Sequence, residues 1–198
     1  MKLVLASKSP RRAELLRQAG IPFEVIAPDV PEEAGKGADP FDLVVRLALK
    51  KAFAVSRLLQ GSGYILAADT VVLHEGDILG KPEDCEDARQ MLCRLSGEQH
   101  EVLTGLALVD AASGRFETGL SRTSVWMRDL TGSQIDNYLA TGEPLDKAGA
   151  YGIQGKAALF VDRIEGCYFN VVGLPLSLLF TLMLRMDIPL WLNRKGGD

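Results

Sequence analysis

The sequence has few cysteines, and those present do not suggest a disulfide framework. Cys85, Cys93 and Cys167 are odd in number and lack CxxC spacing. No secretory signal precedes the first strand-like run, so we expect a protein of the reducing cytoplasm. The longest apolar stretch, residues 171–186, is broken by Gly, Pro, Ser, Thr and Arg. It is shorter than the roughly 20 residues that span a bilayer, which excludes a membrane role.

The sequence also lacks an excess of positive charge. The chain has 22 Lys and Arg against 26 Asp and Glu, a net charge of −4. It therefore lacks the distributed basic face that nucleic-acid binding requires, and any anion site must be local. Repeats, low-complexity tracts and long linkers are absent as well. At 198 residues and 47% hydrophobic composition, we expect one folded domain, residues 1–198.

The pattern of apolar and turn-forming residues predicts an α/β fold. We expect strands at 3–6 and 64–68, a hairpin of 70–73 with 77–79, and long β arms at 101–109 and 115–127. Helices are expected at 10–20, 40–60 and 83–95, and from the Thr131–Gln134 capping box to 142. A glycine-rich loop, a strand pair and a terminal helix follow. Residues 171–186 are interpreted as a buried strand followed by a buried helix. The irregular order of elements indicates a mixed, curved β-sheet with flanking helices, compatible with two lobes around a cleft.

A basic segment follows the first strand. Ser7, Lys8 and Ser9 precede a helix whose first turn contains Arg11 and Arg12. Cations at a helix N-terminus oppose the helix dipole by about 0.3–1 kcal/mol each, so this arrangement is favourable only if an anion binds there. Phosphate fits best, because backbone N–H groups and arginine both match its oxygens. The alternative is a solvated basic turn; the GxxxxGK[ST] pattern of a P-loop is absent.

Two further residues carry charge where apolar neighbours predominate. Lys51 lies in the middle of the apolar stripe of the helix at 40–60, so it either extends to the surface or meets a buried anion. Asp69 follows the apolar strand 64–68, with Thr70 beside it. A carboxylate at a strand's end can hold a metal ion or deprotonate a water molecule, or it can cap a turn.

Polar residues on glycine-rich backbone complete the candidate site. Lys81 lies between Gly80 and Pro82, and residues 146–155 form a loop that contains Gln154. Glycine permits close approach of the backbone to a ligand, and an amide can pair with the polar edge of a base. Both segments are alternatively ordinary turns.

An ordered series of motifs over about 170 residues resembles the Maf family. The motifs are SKSPRR at 7–12, Glu32 after Asp29-Val30, LALKKA at 47–52, AADT at 67–70, GKP at 80–82, SGEQHEVLTG at 96–105, EPLDKAGAYGIQG at 143–155 and VVGLP at 171–175. The resemblance implies a Maf/ITPase-like fold and hydrolysis of a nucleoside triphosphate between its α and β phosphates. It also implies a divalent metal (Mg, Mn or Co), a house-cleaning role and a homodimer.

The resemblance also assigns roles. Asp69 matches the family's proposed proton acceptor, and Arg12, Thr70 and Gln154 match positions that select the substrate. We expect Glu32 and Asp69 to hold metal and water. The expected phosphate-binding residues are Ser7, Ser9, Arg11, Arg12, Lys51 and Lys81.

The sequence is similar to the family subgroup that hydrolyses dTTP and UTP, with modified pyrimidine nucleotides as further candidate substrates. The similarity lies in the second arginine of SKSPRR, the DT pair of AADT and the GIQG loop. The alternatives are a 7-methyl-GTP pyrophosphatase and a non-catalytic, nucleotide-sensing regulator of septation. Ala67, where the family commonly has glycine, and Cys167, where it has a small polar residue, are departures.

Overall fold

The structure is a computed structural model that describes residues 2–30, 39–59 and 63–189. Its strands are β1 (Leu3–Ala6), β2 (Glu24–Val25), β3 (Tyr64–His74), β4 (Asp77–Leu79), β5 (Gln99–Asp110), β6 (Phe116–Met127) and β7 (Val161–Glu165). Its α-helices are α1 (Pro10–Gln18), α2 (Pro40–Ser56), α3 (Cys85–Leu95), α4 (Gly132–Leu139), α5 (Tyr168–Val172) and α6 (Leu176–Arg185). Short 3-10 turns lie at Glu143–Asp146, Ala148–Ala150 and Lys156–Leu159.

The strands of the described residues form one seven-stranded mixed sheet. Its order is β2-β1-β3-β5-β6-β7, and β4 pairs with β3 off this path. β1 runs parallel to both β2 and β3, whereas β4 is antiparallel to β3 and β7 is antiparallel to β6. The predicted α/β class with a mixed sheet and flanking helices is thus confirmed.

The chain divides into two compact units, with boundaries within β3, β5 and β6. The first unit comprises Met1–Asp69, Thr104–Ser121 and Gly173–Asp198; the second comprises Thr70–Leu103 and Arg122–Val172. In the first unit, small and β-branched side chains pack α2 against β1, β3 and β5. The buried members of this cluster are Val4, Ala6, Ala48, Ala52, Val55, Ile65, Ala67, Ala107 and Val109.

The second unit has its own core, built around α3 and α4. Buried residues of this cluster include Ala88, Leu92, Leu95, Ile135 and Tyr138. The predicted capping box begins α4, with Thr131 and Gln134 each bonded to the other's backbone. This pair satisfies N–H groups that a helix start leaves without partners.

Three local predictions from the sequence are wrong. The strand from Tyr64 does not stop before Asp69 but continues to His74, because β4 pairs with its second half. Residues 168–172 form α5 rather than a strand, although Val171 and Val172 favour strands, because tertiary context overrides a weak propensity. The predicted strand pair after the glycine-rich loop is the single strand β7 in the described part of the chain.

The N-termini of α1 and α2 are capped differently. Ser9 occupies the N-cap position of α1, but its side chain makes no capping hydrogen bond. Asp39 caps α2 by accepting from the Phe41 backbone N–H. Among the described residues, no helix has the length and apolar character needed to cross a membrane.

Candidate active site

The loop between β1 and α1 holds Arg12 in a fixed position within the first unit. Ser7 is 4% exposed, and its Oγ accepts hydrogen bonds from the Ser9 backbone N–H at 3.1 Å and from Arg12 Nη1 at 3.2 Å. Arg12 Nε donates to the carbonyl oxygen of Gly173 at 2.8 Å. The guanidinium is therefore anchored on two sides, and its orientation does not depend on a ligand.

The start of α1 has the electrostatic character expected from the sequence. Its first turn contains Arg11 and Arg12 and no acidic residue. Since the Ser9 side chain does not cap the helix, the terminal N–H groups are not satisfied by that hydroxyl. Partial positive charge from the helix end and two guanidinium groups thus coincide at one place, which suits an anion.

Lys51 and Asp69 form a buried ion pair in the first unit. The Nζ of Lys51 lies 2.6 Å from Oδ1 of Asp69, and the two residues are 6% and 7% exposed. Of the two alternatives for Lys51, the structure shows the buried anion. The pairing is strong because a short, charge-assisted hydrogen bond forms away from competing water.

The fold explains why these two side chains meet. Side chains alternate along a strand, so Ile65, Ala67 and Asp69 share one face of β3. Ile65 and Ala67 pack in the same cluster as α2 residues Ala48 and Ala52. Lys51 is also buried on α2, so its ammonium reaches Asp69, the next residue along this face of β3.

Three further candidate residues, Thr70, Lys81 and Gln154, belong to the second unit. Thr70 is half-buried on β3, and Lys81 and Gln154 are exposed. The loop that carries Lys81 is joined to residues 147–155, because the Gly149 backbone N–H donates to Gly80 O at 3.0 Å. Glu32 lies outside the described residues.

A divalent cation was expected at Glu32 and Asp69. Within the described ranges, no group of three or more His, Cys, Asp or Glu side chains is arranged to hold a metal ion. Asp69 supplies carboxylate oxygens, the hard donors that magnesium and manganese prefer. Its Oδ1 accepts a hydrogen bond from Lys51 Nζ, so a metal ion at Asp69 would need further oxygen donors from other residues.

Comparison with a family model shows to which protein family the chain belongs. The model described as Maf-like protein matches residues 2–186. The chain belongs to the Maf family.

Relatives and solved structures agree with this assignment. The Maf chain is 51% identical over 180 residues to a dTTP/UTP pyrophosphatase of Carboxydothermus hydrogenoformans, covering 91% of this chain and 96% of the relative. It is 49% identical over 195 residues to a dTTP/UTP pyrophosphatase of Symbiobacterium thermophilum, covering 98% and 99%.

Two solved structures share the fold. A HAM1 protein from Coxiella burnetii matches with a TM-score of 0.53 and 15% identity, covering 93% of this chain and 99% of that one. The Staphylococcus aureus Ham1 protein matches with a TM-score of 0.51 and 14% identity, covering 94% and 100%. At these identities the likeness concerns the fold alone.

Two supporting residues of this Maf site were not predicted from the sequence. Gly173, in the VVGLP motif, supplies the carbonyl that anchors Arg12. Gly105, in SGEQHEVLTG, lies so close to α2 that a Cβ there would overlap the backbone of Val44. A glycine inside a strand often marks close backbone approach, and this signal was available in the sequence.

Proposed function

We propose that this Maf chain is a nucleoside triphosphate pyrophosphatase that hydrolyses dTTP and UTP to the monophosphate and pyrophosphate. The buried Lys51–Asp69 pair beside apolar neighbours carries the hydrolytic part of the proposal. Its substrates are suggested by relatives about half identical over nearly the whole chain, which bear the name dTTP/UTP pyrophosphatase.

In the proposed reaction, water attacks the α-phosphorus and the bond from that phosphorus to the α–β bridging oxygen breaks. The bridging oxygen leaves with pyrophosphate, and the proton of the attacking water passes to Asp69. Arg12, held by Ser7 and Gly173, offers N–H donors to phosphate oxygens. Fixed donors of this kind stabilise developing charge without reorganising during the reaction.

Other cations and hydroxyls complete the proposed phosphate site. Arg11, Lys51 and Lys81 offset the charge of the triphosphate, and the hydroxyls of Ser7 and Ser9 donate to its oxygens. Thr70, Gln154 and Arg12 select the substrate in this proposal. Gln154 suits the role because its amide has both a donor and an acceptor to pair with a pyrimidine edge.

We also propose a divalent cation, Mg, Mn or Co, bound by Asp69 and Glu32. When bound, it would offset phosphate charge and polarise a phosphoryl oxygen. The three cysteines are free, which suits the cytoplasmic location inferred from the sequence. Homodimer formation and removal of surplus or non-standard nucleotides complete the proposal.

A pyrophosphate-release screen tests this function. The purified chain is assayed with standard nucleoside triphosphates, modified pyrimidine nucleotides and 7-methyl-GTP, each with Mg, Mn or Co. We expect dTTP and UTP to be the best standard substrates. A preference for 7-methyl-GTP would contradict the subgroup, and nucleotide binding without pyrophosphate release would favour a sensor.

The role of Asp69 is tested in the same assay. Asp69→Asn is expected to bind nucleotide while losing most turnover, because an amide cannot accept the proton. Since the change also leaves the buried ammonium of Lys51 without its anion, the assay uses protein that circular dichroism shows to be folded. Asp42→Asn, an exposed change on α2, is the matched control and should keep full activity. Undiminished turnover by Asp69→Asn would exclude Asp69 as the proton acceptor.

A further inference from the structure

The turn that carries Gln154 is short and partly exposed. The Gly155 backbone N–H donates to Gly152 O at 3.0 Å, which closes a four-residue turn with Ile153 and Gln154 at its centre. Gln154 and Gly155 are exposed. An exposed turn opens easily unless neighbouring groups hold it.

Glu143 connects this turn to the core of the second unit. One carboxylate oxygen, Oε2, accepts from the Lys156 backbone N–H at 3.1 Å, directly after the turn. The other, Oε1, accepts from the Tyr138 hydroxyl at 3.0 Å. Tyr138 is 3% exposed, and its ring meets that of Phe160 edge to face. The carboxylate therefore connects the end of the turn to a buried aromatic residue.

The glycines at the two ends of the turn lie close to the side chains of Glu143 and Lys147. A Cβ at Gly155 would overlap the carboxylate of Glu143, and a Cβ at Gly152 would overlap the side chain of Lys147. Lys147 is itself fixed, since its Nζ donates to Glu143 O at 2.5 Å and to Asp146 Oδ1 at 2.7 Å. Glu143 thus supports one end directly and the other through Lys147.

The bond between Tyr138 and Glu143 is stable to changes in pH above neutrality. Burial raises the pKa of the Tyr138 hydroxyl, and its hydrogen bond to Glu143 raises it further. Hydrogen bonding to the Gly152 backbone lowers this pKa by less. The hydroxyl consequently remains a donor to the carboxylate.

We propose that Glu143 is a positioning residue for base selection, which holds the Gly152–Gly155 turn against Tyr138 and so directs the amide of Gln154 toward a pyrimidine base. The inference rests on the proposed function in taking Gln154 as the residue that contacts the base. Glu143 itself acts through Gln154 and contacts no substrate.

A double-mutant cycle tests the proposal. Selectivity is measured as the ratio of kcat/KM for UTP to that for GTP, and in parallel as the ratio of affinities for their non-hydrolysable α,β-methylene analogues. We expect Gln154→Ala and Glu143→Ala each to lower both ratios by about tenfold, the effect of one or two hydrogen bonds. The double variant should be no less selective than Gln154→Ala alone.

Two milder changes keep the test valid if Glu143→Ala folds poorly. Tyr138→Phe removes one hydroxyl and keeps the ring in the core, and we expect a loss of selectivity of about threefold. Glu143→Gln keeps an acceptor oxygen and should restore most of the selectivity lost in Glu143→Ala. Glu98→Ala, an exposed change in the same unit, should leave the ratios unchanged.

The outcomes separate the inference from the proposed function. Unchanged selectivity in folded Glu143 and Tyr138 variants would overturn the inference. So would a further loss on adding Glu143→Ala to Gln154→Ala, because a residue acting only through Gln154 has no effect in its absence. If the unaltered chain released no pyrophosphate from any nucleotide, the proposed function would fail, and the analogue affinities would still decide the role of Glu143.

Discussion

The ammonium of Lys51 and the carboxylate of Asp69 lie 2.6 Å apart, and both are almost fully buried. Each charge makes the burial of the other tolerable, since an isolated ion in a protein core is strongly destabilising. The pair therefore links the stability of the first unit to the residue that we propose as proton acceptor.

Replacing Lys51 with methionine should destabilise the fold strongly. The change keeps an unbranched apolar side chain on α2 but leaves the carboxylate of Asp69 without its cation. Removing one partner of a buried pair costs about 3–5 kcal/mol. Urea unfolding followed by circular dichroism measures this loss.

The neighbouring residue provides the control for this change. Lys50 lies on the same helix and is exposed, so Lys50→Met should change the free energy of unfolding by less than about 0.5 kcal/mol. Equal effects of the two substitutions would show that the ion pair contributes nothing to stability.

Arg12→Lys tests whether a fixed guanidinium is needed. Arginine bonds Ser7 Oγ and Gly173 O through two separate nitrogens, a geometry that a single ammonium cannot reproduce. Hydrogen bonds to charged groups contribute about 1.5–3 kcal/mol, so we expect kcat/KM for dTTP to fall by about tenfold or more. Steady-state pyrophosphate release measures the effect.

Arg17→Lys is the matched control for Arg12. Arg17 lies on the same helix and pairs with Glu14 on the surface at 2.8 Å. Exposed pairs contribute little, and lysine can replace arginine in this one. Activity of Arg17→Lys should equal that of the unaltered chain, and the same activity in Arg12→Lys would show that any cation suffices at position 12.

The sequence was sufficient to locate Lys51 and Asp69 as unusual residues, because each interrupts an apolar pattern. It did not show that they meet, since that depends on the register between α2 and β3. The position of Asp69 within β3 was missed for a related reason. A polar pair suggested a strand end, whereas pairing of β4 with Val72 and Leu73 continues the strand beyond it.

Other features depend on residues far apart in the chain. The anchor of Arg12 is a carbonyl 161 positions away, and no local pattern predicts such a contact. The helical state of Val171 and Val172 likewise reflects its surroundings. Asn170 donates to Val102 O and to Thr123 Oγ1, both at 2.9 Å, which ties this segment to β5 and β6.

Gly105→Ala should impair both stability and activity. The added methyl group would overlap the backbone of Val44, which cannot move without displacing α2. Overpacking of this kind costs about 1–3 kcal/mol. Because Lys51 lies on α2, we also expect a lower kcat. Urea unfolding and pyrophosphate release measure the two effects.

Gly132→Ala is the control for this substitution. A Cβ at Gly132 would make an ordinary contact with the Arg89 side chain at 3.6 Å. The position lies in α4, where alanine is favoured over glycine. Gly132→Ala should therefore be neutral or stabilising, and a similar result for Gly105→Ala would show that α2 tolerates displacement.

His100 should make the protein less stable in mild acid. It is 1% exposed on β5, and its Nε2 lies 2.7 Å from the Tyr151 hydroxyl. Burial lowers the pKa of His100 from 6.5 to about 3, and the electrostatic interaction with His74 makes a smaller contribution in the same direction. The unfolded chain thus binds a proton that the folded chain does not between these two values. Stability falls as the pH decreases from 6.5, by up to about 1.4 kcal/mol per unit.

The substitution His100→Gln isolates this contribution. Glutamine offers a polar group to Tyr151 and does not titrate. The free energy of unfolding of the His100→Gln variant should therefore depend less on pH between 6.5 and 4 than that of the unaltered chain. The difference between the two proteins should change by about 2 kcal/mol from pH 6.5 to pH 5, measured by urea unfolding at each pH. Parallel pH profiles would show that His100 takes up its proton in the folded state, and burial alone would then not keep it neutral.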